Sequence, residues 1–254
     1  MSNSSRAALE LSGVGLRIGG ARILEDVGFT VARGEMIGVI GPNGAGKTTL
    51  FNLVSGVLNP TEGTISMDGR PLASMPVHRR AAAGLGRTFQ TSSLFPGLSV
   101  LENVRLAAQA KRGGSLSLLR FPRAADAATT AAEAALEEVG LPHNTGALAG
   151  GLSHGDKRKV EIAMLLATDP TVILLDEPMA GVGSADVPVL SAIIDRMHRA
   201  AGRTILMVEH HMDVVLGLVD RVAVMHHGRL LAIDTPDAVM ANPTVQSAYL
   251  GEAV

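Results

Sequence analysis

A chain of 254 residues is long enough to bury a full core without staples, and a formal net charge of -2 offers nucleic acid no electrostatic attraction. The absence of cysteine excludes a disulfide framework, a thiol nucleophile and a Cys-ligated zinc, and it suits a reducing cytoplasm. The opening MSNSSRAALE lacks the charged-then-apolar order of a secretion signal, and Asp213, Asp220 and Arg221 break the longest apolar stretch. A soluble chain is expected, with any membrane role coming through a partner.

Alternation in LELSGVGLRI and ILEDVGFTV predicts antiparallel strands. MIGVI, residues 36 to 40, is a short apolar run ending at Gly41, the pattern of a buried parallel strand. TISMDGR carries a hairpin turn at Asp68-Gly69. From about 74 to 168 the text reads as helical: VHRRAAAG, SVLENVRLAAQA, an Ala-rich run from 124 to 139, and VEIAMLLA, with a loop around Gly113, Gly114 and Pro122. TVILLDE (171 to 177) and RTILMVE (203 to 209) are two further buried strands, and 187 to 200 an amphipathic helix after Asp186. RVAVM, His227-Gly228 and RLLAI make a closing hairpin, and Thr235-Pro236 and Asn242-Pro243 each set a cap before a first-turn Pro. The whole is an α/β sheet interrupted by a helical insert.

GPNGAGKTT, residues 41 to 49, fits G-x-x-x-x-G-K-[ST] at every fixed position, follows a predicted strand and opens a helix. A phosphate cradle is therefore expected from Gly41, Pro42, Asn43, Gly44, Ala45, Gly46, Lys47, Thr48 and Thr49. The glycines let successive N–H groups turn inward. Lys47 reaches the β- and γ-phosphates, Thr48 coordinates Mg²⁺ and Thr49 bonds the α-phosphate. Asp176 ends an apolar strand beside the cradle, where its carboxylate suits Mg²⁺. Glu177, one residue on, points elsewhere by alternation, toward an attacking water, and Pro178 is expected to hold it extended. No Asn-Lys-x-Asp segment for guanine is present, which favours ATP.

LSHGDKRK, residues 152 to 159, reads by itself as a Ser N-cap followed by a solvated basic turn, with the helical apolar pattern beginning at Val160. Lys157, Arg158 and Lys159 sit unfavourably near a helix N-terminus, by about a few tenths of a kcal/mol each. His211, His226 and His227 read as surface residues rather than a metal cluster, for want of acidic neighbours.

Taken together, GPNGAGKTT, VILLDE, Gln90 in GRTFQ, LSHGD and His210 in VEHHM resemble, in that order, the motifs of the ATP-binding subunit of ABC transporters, and the likeness covers nearly the whole chain. The resemblance implies a single domain over 1–254. Its P-loop NTPase (RecA-like) core would take 1–90 and 159–254 with an antiparallel β subdomain, and an inserted helical lobe about 91–158. It implies ATP and Mg²⁺ as ligands and Glu177 as general base. His210 is the switch histidine, and Gln90 the loop residue that senses Mg²⁺ and the membrane partner. It also implies a head-to-tail dimer with a second ATP-binding subunit, whether the same or a different chain. Ser153 and Gly155 of one subunit would then meet the γ-phosphate held by the other, where phosphate would also relieve the misplaced cations.

Integral membrane permease subunits are the implied partners, with a solute-binding protein acting indirectly from the far side, and FQTSSLFPGLSV (Phe89, Leu94, Phe95) is the expected docking stretch. The implied location is the cytoplasmic face of the cell membrane. The extended segment 109 to 124, LSHGDKRK and the ending AYLGEAV resemble branched-chain amino acid importers; a urea or short-chain amide importer is the second reading, and a soluble non-transport ABC ATPase a third. Four positions depart from the family pattern. His154 and Asp156 alter the signature, Ile18 stands where an aromatic stacks on adenine, and Gly183 where many relatives carry Asp. Poorer base stacking and a weaker signature contact are expected.

Overall fold

In the computed structural model, which describes residues 7–73, 75–88, 94–111, 127–143 and 145–250, the apolar runs MIGVI, VILLD and TILMV are buried at every position. They form strands β3 (Met36–Ile40), β7 (Val172–Asp176) and β8 (Thr204–Val208), and burial on both faces is why they read as continuous rather than alternating. β8 lies between β3 and β7, parallel to both. β9 (Arg221–His226) runs parallel to β3 on its other side, and β10 (Arg229–Asp234) returns antiparallel to β9. The sheet order is β10-β9-β3-β8-β7-β6, with β6 (Leu85–Arg87) at the edge. A second sheet, antiparallel, is ordered β2-β1-β4-β5 from β1 (Ala7–Ile18), β2 (Ala21–Ala32), β4 (Glu62–Met67) and β5 (Arg70–Pro71). The Asp68-Gly69 turn joins β4 to β5 with Met67 opposite Arg70, as read from the sequence.

The chain divides into two compact units, one of residues 1–85, 171–177 and 194–254 and one of 86–170 and 178–193. The first holds both sheets' apolar faces in one cluster that includes Leu9, Val27, Val39, Phe51, Leu174 and Leu206. Helix α1 (Lys47–Ser55) contributes Leu50, Phe51, Leu53 and Val54 to the buried interior. The closing hairpin turns at His227-Gly228, both with positive φ (46° and 76°). Gly228 N–H donates to Ala45 O (3.1 Å), and a Cβ there would stand 2.3 Å from Ile23 O, so this close approach to the 41–49 loop needs glycine. The caps expected at Thr235 and Asn242 are present: Thr235 Oγ1 accepts from Ala238 N–H (3.4 Å) and Asn242 Oδ1 from Thr244 N–H (2.9 Å).

The helical reading of 74 to 168 is corrected at β6. Three residues are too few to show a period, and their strand identity comes from the neighbouring chain, where Thr171 and Val172 N–H donate to Gly84 O (2.8 and 3.1 Å). Within the same stretch, α2 (Val77–Ala82) hides a cation that the text VHRRAAAG gave no reason to bury. Arg80 is 1% exposed and donates to four carbonyls: Met75 O (2.8 Å), Leu53 O and Val54 O (2.7 Å each) and Leu72 O (2.8 Å). Two of these lie in the last turn of α1, where the helix dipole favours a cation; Leu53 O also accepts from the capping Gly56 N–H (3.2 Å). Burial pulls the Arg80 pKa down from its ordinary value. Arg80→Met keeps the apolar stem but removes a donor from all four carbonyls, of which Leu53 O and Leu72 O retain a backbone partner (Gly56 N–H at 3.2 Å and Met75 N–H at 2.9 Å). Each buried acceptor left without a donor costs about 1–3 kcal/mol. A loss of about 3–5 kcal/mol in urea unfolding is expected; an unchanged midpoint would mean that the carbonyls find other donors.

In the second unit, α3 (Val100–Lys111) opens with a reciprocal capping box: Ser99 N–H and hydroxyl donate to Glu102 Oε2 (3.1 and 3.0 Å), and Glu102 N–H donates to Ser99 Oγ (3.2 Å). These bonds hold the Glu102 carboxyl below its ordinary pKa. Buried Asn103 pins the preceding loop, accepting from Phe95 N–H (2.8 Å) and donating to Phe95 O (3.1 Å) and Ser99 O (2.9 Å). α3 packs against α4 (Ala127–Glu138) and α5 (His154–Leu166). Helix α6 spans Val187–Asp195 and passes into a π-helical turn, Arg196–Ala200, so the run expected to 200 is helical but not one regular helix.

Candidate nucleotide site

The link from β3 to α1 is the 41–49 loop, and its shape depends on glycine at both ends. Gly41 has φ 149°, and a Cβ there would lie 2.1 Å from Met225 O; at Gly46 (φ 98°) it would lie 2.5 Å from Leu24 Cδ2. Gly46 caps α1 in the left-handed region with no side-chain hydrogen bond to the helix, and the first turn has no acidic residue. The positive end of the dipole is thus left for a ligand of opposite charge. Lys47 is buried, and its Nζ donates to Gly41 O (2.6 Å) and Pro42 O (2.9 Å), which spends two of three ammonium protons on the loop itself. Burial lowers its pKa, and the nearby Glu177 carboxylate works in the opposite direction. A loop that excludes a Cβ at Gly41 and Gly46, with a cation drawn into it and an uncapped helix behind, matches a polyphosphate.

Sheet register brings the second set of groups to the same edge. Val208 of β8 stands opposite both Val39 of β3 and Asp176 of β7, so all three strands end level. Asp176 is 1% exposed, whereas Thr48 is exposed. A carboxylate and a hydroxyl are hard oxygen donors, the kind that suits Mg²⁺ shared with phosphate and water. His211 and His227 are exposed and His226 is half-buried. One premise of their surface reading needs correction: His211 does have an acidic neighbour, Glu209, at 3.0 Å.

Glu177 departs from expectation in conformation. Pro178 disfavours the right-handed helical region and was expected to leave Glu177 extended, but its φ is 48°, in the left-handed region. Its N–H donates to Val208 O (2.9 Å), the last ladder bond between β7 and β8, so the backbone turns where the sheet pairing ends. Such a residue costs on the order of 1–3 kcal/mol and persists where the surroundings hold it. The turn brings Glu177 Oε1 to 2.8 Å from His210 Nε2. Carboxylate and imidazole, far apart in the sequence, are one hydrogen-bonded pair at the end of the sheet that carries the cradle.

The 152–159 segment lies in the second unit. α5 begins at His154, six residues ahead of the apolar pattern at Val160, with Ser153 as N-cap: its Oγ accepts from Asp156 N–H (3.1 Å). The basic turn is not a solvated run. Arg158 is buried against Glu161 (2.7 Å), and Lys159 pairs with Asp156 (3.0 Å). Those two cations have partners three residues away in their own helix, so relief by phosphate is not needed to explain them. Gly155 is buried, and a Cβ there would stand 2.5 Å from Asp186 Oδ2, so packing against Asp186 already requires glycine.

Gln90 and Phe89 lie outside the described residues, as do most of 109 to 124 and the last residues of AYLGEAV. Ile18, at the end of β1, is 54% exposed. Gly183 has open space around its missing Cβ. Arg80 and Glu209 escaped the sequence reading, and Asp186 was read only as the residue ahead of an amphipathic helix. For Glu209 a signal existed, an acid between a buried strand and two histidines.

Among the described residues no helix is long and apolar enough to cross a membrane. A family profile described as "ABC transporter" matches residues 24–180, and one described as "Branched-chain amino acid ATP-binding cassette transporter" matches 229–254. The chain is 39% identical to the high-affinity branched-chain amino acid transport ATP-binding protein LivG of Salmonella typhimurium, over 98% of this chain and 100% of that one. It is 38% identical to the corresponding BraF of Pseudomonas aeruginosa, over the same shares. Among solved structures, the ADP conformation of an ATP-binding cassette of an ABC transporter superposes with a TM-score of 0.86 at 30% identity, covering 97% of this chain and 99% of that one. With a family profile matching residues 24–180 and whole-length likeness of this order, the chain belongs to the ABC transporter family, among its ATP-hydrolysing cassettes.

Proposed function

We propose that the chain is the ATP-hydrolysing subunit of an importer for branched-chain and other hydrophobic amino acids, working at the cytoplasmic face of the membrane with permease subunits and a second ATP-binding subunit. The observation that carries the chemistry is the Glu177–His210 pair, 2.8 Å apart, on the sheet edge that also bears Lys47 and Asp176. The cargo rests on the likeness to LivG and BraF and on the match over 229–254.

In this reading, backbone N–H groups of 41–49 and the Lys47 ammonium hold the β- and γ-phosphates, Thr49 holds the α-phosphate, and Ile18 lies over the adenine. Thr48 and Asp176, with Gln90, would hold Mg²⁺, which when bound would supply positive charge beside the phosphate oxygens. Glu177 accepts a proton from the attacking water, and His210 fixes the carboxylate through the Nε2 contact and meets the charge that develops as the γ-phosphoryl leaves. Ser153 and the start of α5 complete the site of the opposite subunit. The second unit supplies a surface for the permease: Phe95 and Leu148 are 54% and 60% exposed, next to a cleft of about 580 Å³ bordered by Leu94, Pro96, Lys157 and Glu161.

Affinity purification of the full-length chain from detergent-solubilised membranes is expected to bring integral membrane subunits with it; recovery only from the soluble fraction contradicts the importer reading. The base position has its own test. A ring over adenine contributes on the order of 1–3 kcal/mol, so Ile18→Tyr should tighten ATP binding by up to about tenfold in calorimetry. Unchanged affinity would remove Ile18 from the base site.

A further inference from the structure

Glu209 follows β8 directly, and its side chain is almost wholly buried, at 2% exposure. One oxygen, Oε2, gathers three contacts: His210 N–H donates to it at 2.7 Å, His211 N–H at 3.1 Å, and His211 Nδ1 lies 3.0 Å away. The next helix, α7 (Met212–Leu218), begins at an N-cap, His211, that makes no side-chain cap bond. The link between strand and helix therefore takes its backbone shape from the Glu209 carboxylate. Bonds to an ionised acceptor are shorter and roughly twice as strong as neutral ones.

We propose that Glu209 is a positioning residue for hydrolysis, which sets His210 by holding the peptide groups on either side of it. Two tethers converge on the end of β8. Val208 O receives Glu177 N–H (2.9 Å), and Glu209, the next residue, receives His210 N–H (2.7 Å). The 2.8 Å contact between His210 Nε2 and Glu177 Oε1 thus joins two side chains whose backbones are fixed to neighbouring residues of one strand end. The His210 ring is itself half-exposed, so few packing contacts orient it, and the backbone anchor has to supply what packing does not. Reacting groups need to be held to within about 0.5 Å, and residues beneath them supply that precision. His211, exposed and paired to the same oxygen, adds a third donor without reaching the cradle. This inference rests on the hydrolytic roles proposed for Glu177 and His210.

The test is a double-mutant cycle on the full-length chain, with single turnovers of ATP followed over hours so that the slowest variants are measured. Glu209→Ala is expected to lower the rate by roughly 10- to 100-fold, as small misplacements of reacting groups do, with ATP affinity within about twofold of the parent. Glu209→Gln keeps an acceptor oxygen at the same reach and should recover the rate to within about threefold, which also answers any loss of folding in the Ala variant. In a His210→Ala background, Glu209→Ala should change the rate by less than about twofold, because its effect passes through His210. An equal loss in both backgrounds, or a loss of ATP affinity as large as the loss of rate, overturns the proposal and leaves Glu209 a structural residue. If His210→Ala and Glu177→Gln themselves turn over at the parental rate, the hydrolytic reading falls and the Glu209 inference with it.

Discussion

Replacing Glu177 by Gln is expected to slow ATP turnover by roughly 10²- to 10⁴-fold while ATP binding survives, because a general base contributes about that much and does not hold the phosphates. Gln keeps the shape of the side chain and its contact to His210 but loses the proton acceptor. The Glu177 N–H bond to Val208 O is made by the backbone and stays in place in the Gln variant. Lys47 would lose the carboxylate that offsets its desolvation. Calorimetry should nevertheless show ATP affinity close to the parent, for Lys47 keeps its bonds to Gly41 O and Pro42 O. With ATP bound and not consumed, the closed dimer should accumulate and appear by size exclusion. Near-parental turnover would remove Glu177 from the chemistry.

The second large effect concerns the shared site. Ser153→Arg sets a long cation where phosphate of the opposite subunit is proposed to dock, and it should abolish turnover while the isolated chain still binds ATP. Ser153 also caps α5, so loss of the cap alone costs about 1 kcal/mol, and Ser153→Ala measures that part separately. Lys47→Ala should do the reverse, weakening ATP binding by on the order of 10- to 100-fold through loss of charge-assisted bonds. A mixture of the two inactive chains puts both lesions in one composite site and leaves the other intact, so activity should return in the mixture. A mixture as inactive as its components would contradict a site in which one intact half suffices.

The cradle was legible because its glycines are demanded by the backbone: at Gly41 and Gly46 a Cβ would strike Met225 O or Leu24, and the motif is the trace of that exclusion. The parallel strands were legible for a similar reason, since burial on both faces leaves no polar position. At Glu177 the expected extended conformation was wrong. The local rule for a residue before proline, which favours an extended backbone, gives way there to a left-handed turn at the end of the β7/β8 ladder that no local pattern encodes. The basic turn was misread although its solution stands in the text, with Asp156 three residues before Lys159 and Glu161 three residues after Arg158. Arg80 was not legible at all: its four acceptors are backbone carbonyls, and carbonyls leave no mark in a sequence. Glu209 lies between these cases, an acid whose position suggests a cap but whose three donors become visible only once the strand end is folded.

The most direct measurement of the central claim is ATP hydrolysis by the full-length chain reconstituted in liposomes with its permease subunits and solute-binding protein, with Leu, Ile, Val or urea supplied in turn. Hydrolysis by the chain alone should be slow, because water and Glu177 are aligned only when a partner closes the site. Stimulation by Leu, Ile or Val is the expected result. Stimulation by urea and by none of the three amino acids would contradict the assigned cargo, and no stimulation by any solute would contradict a role in import.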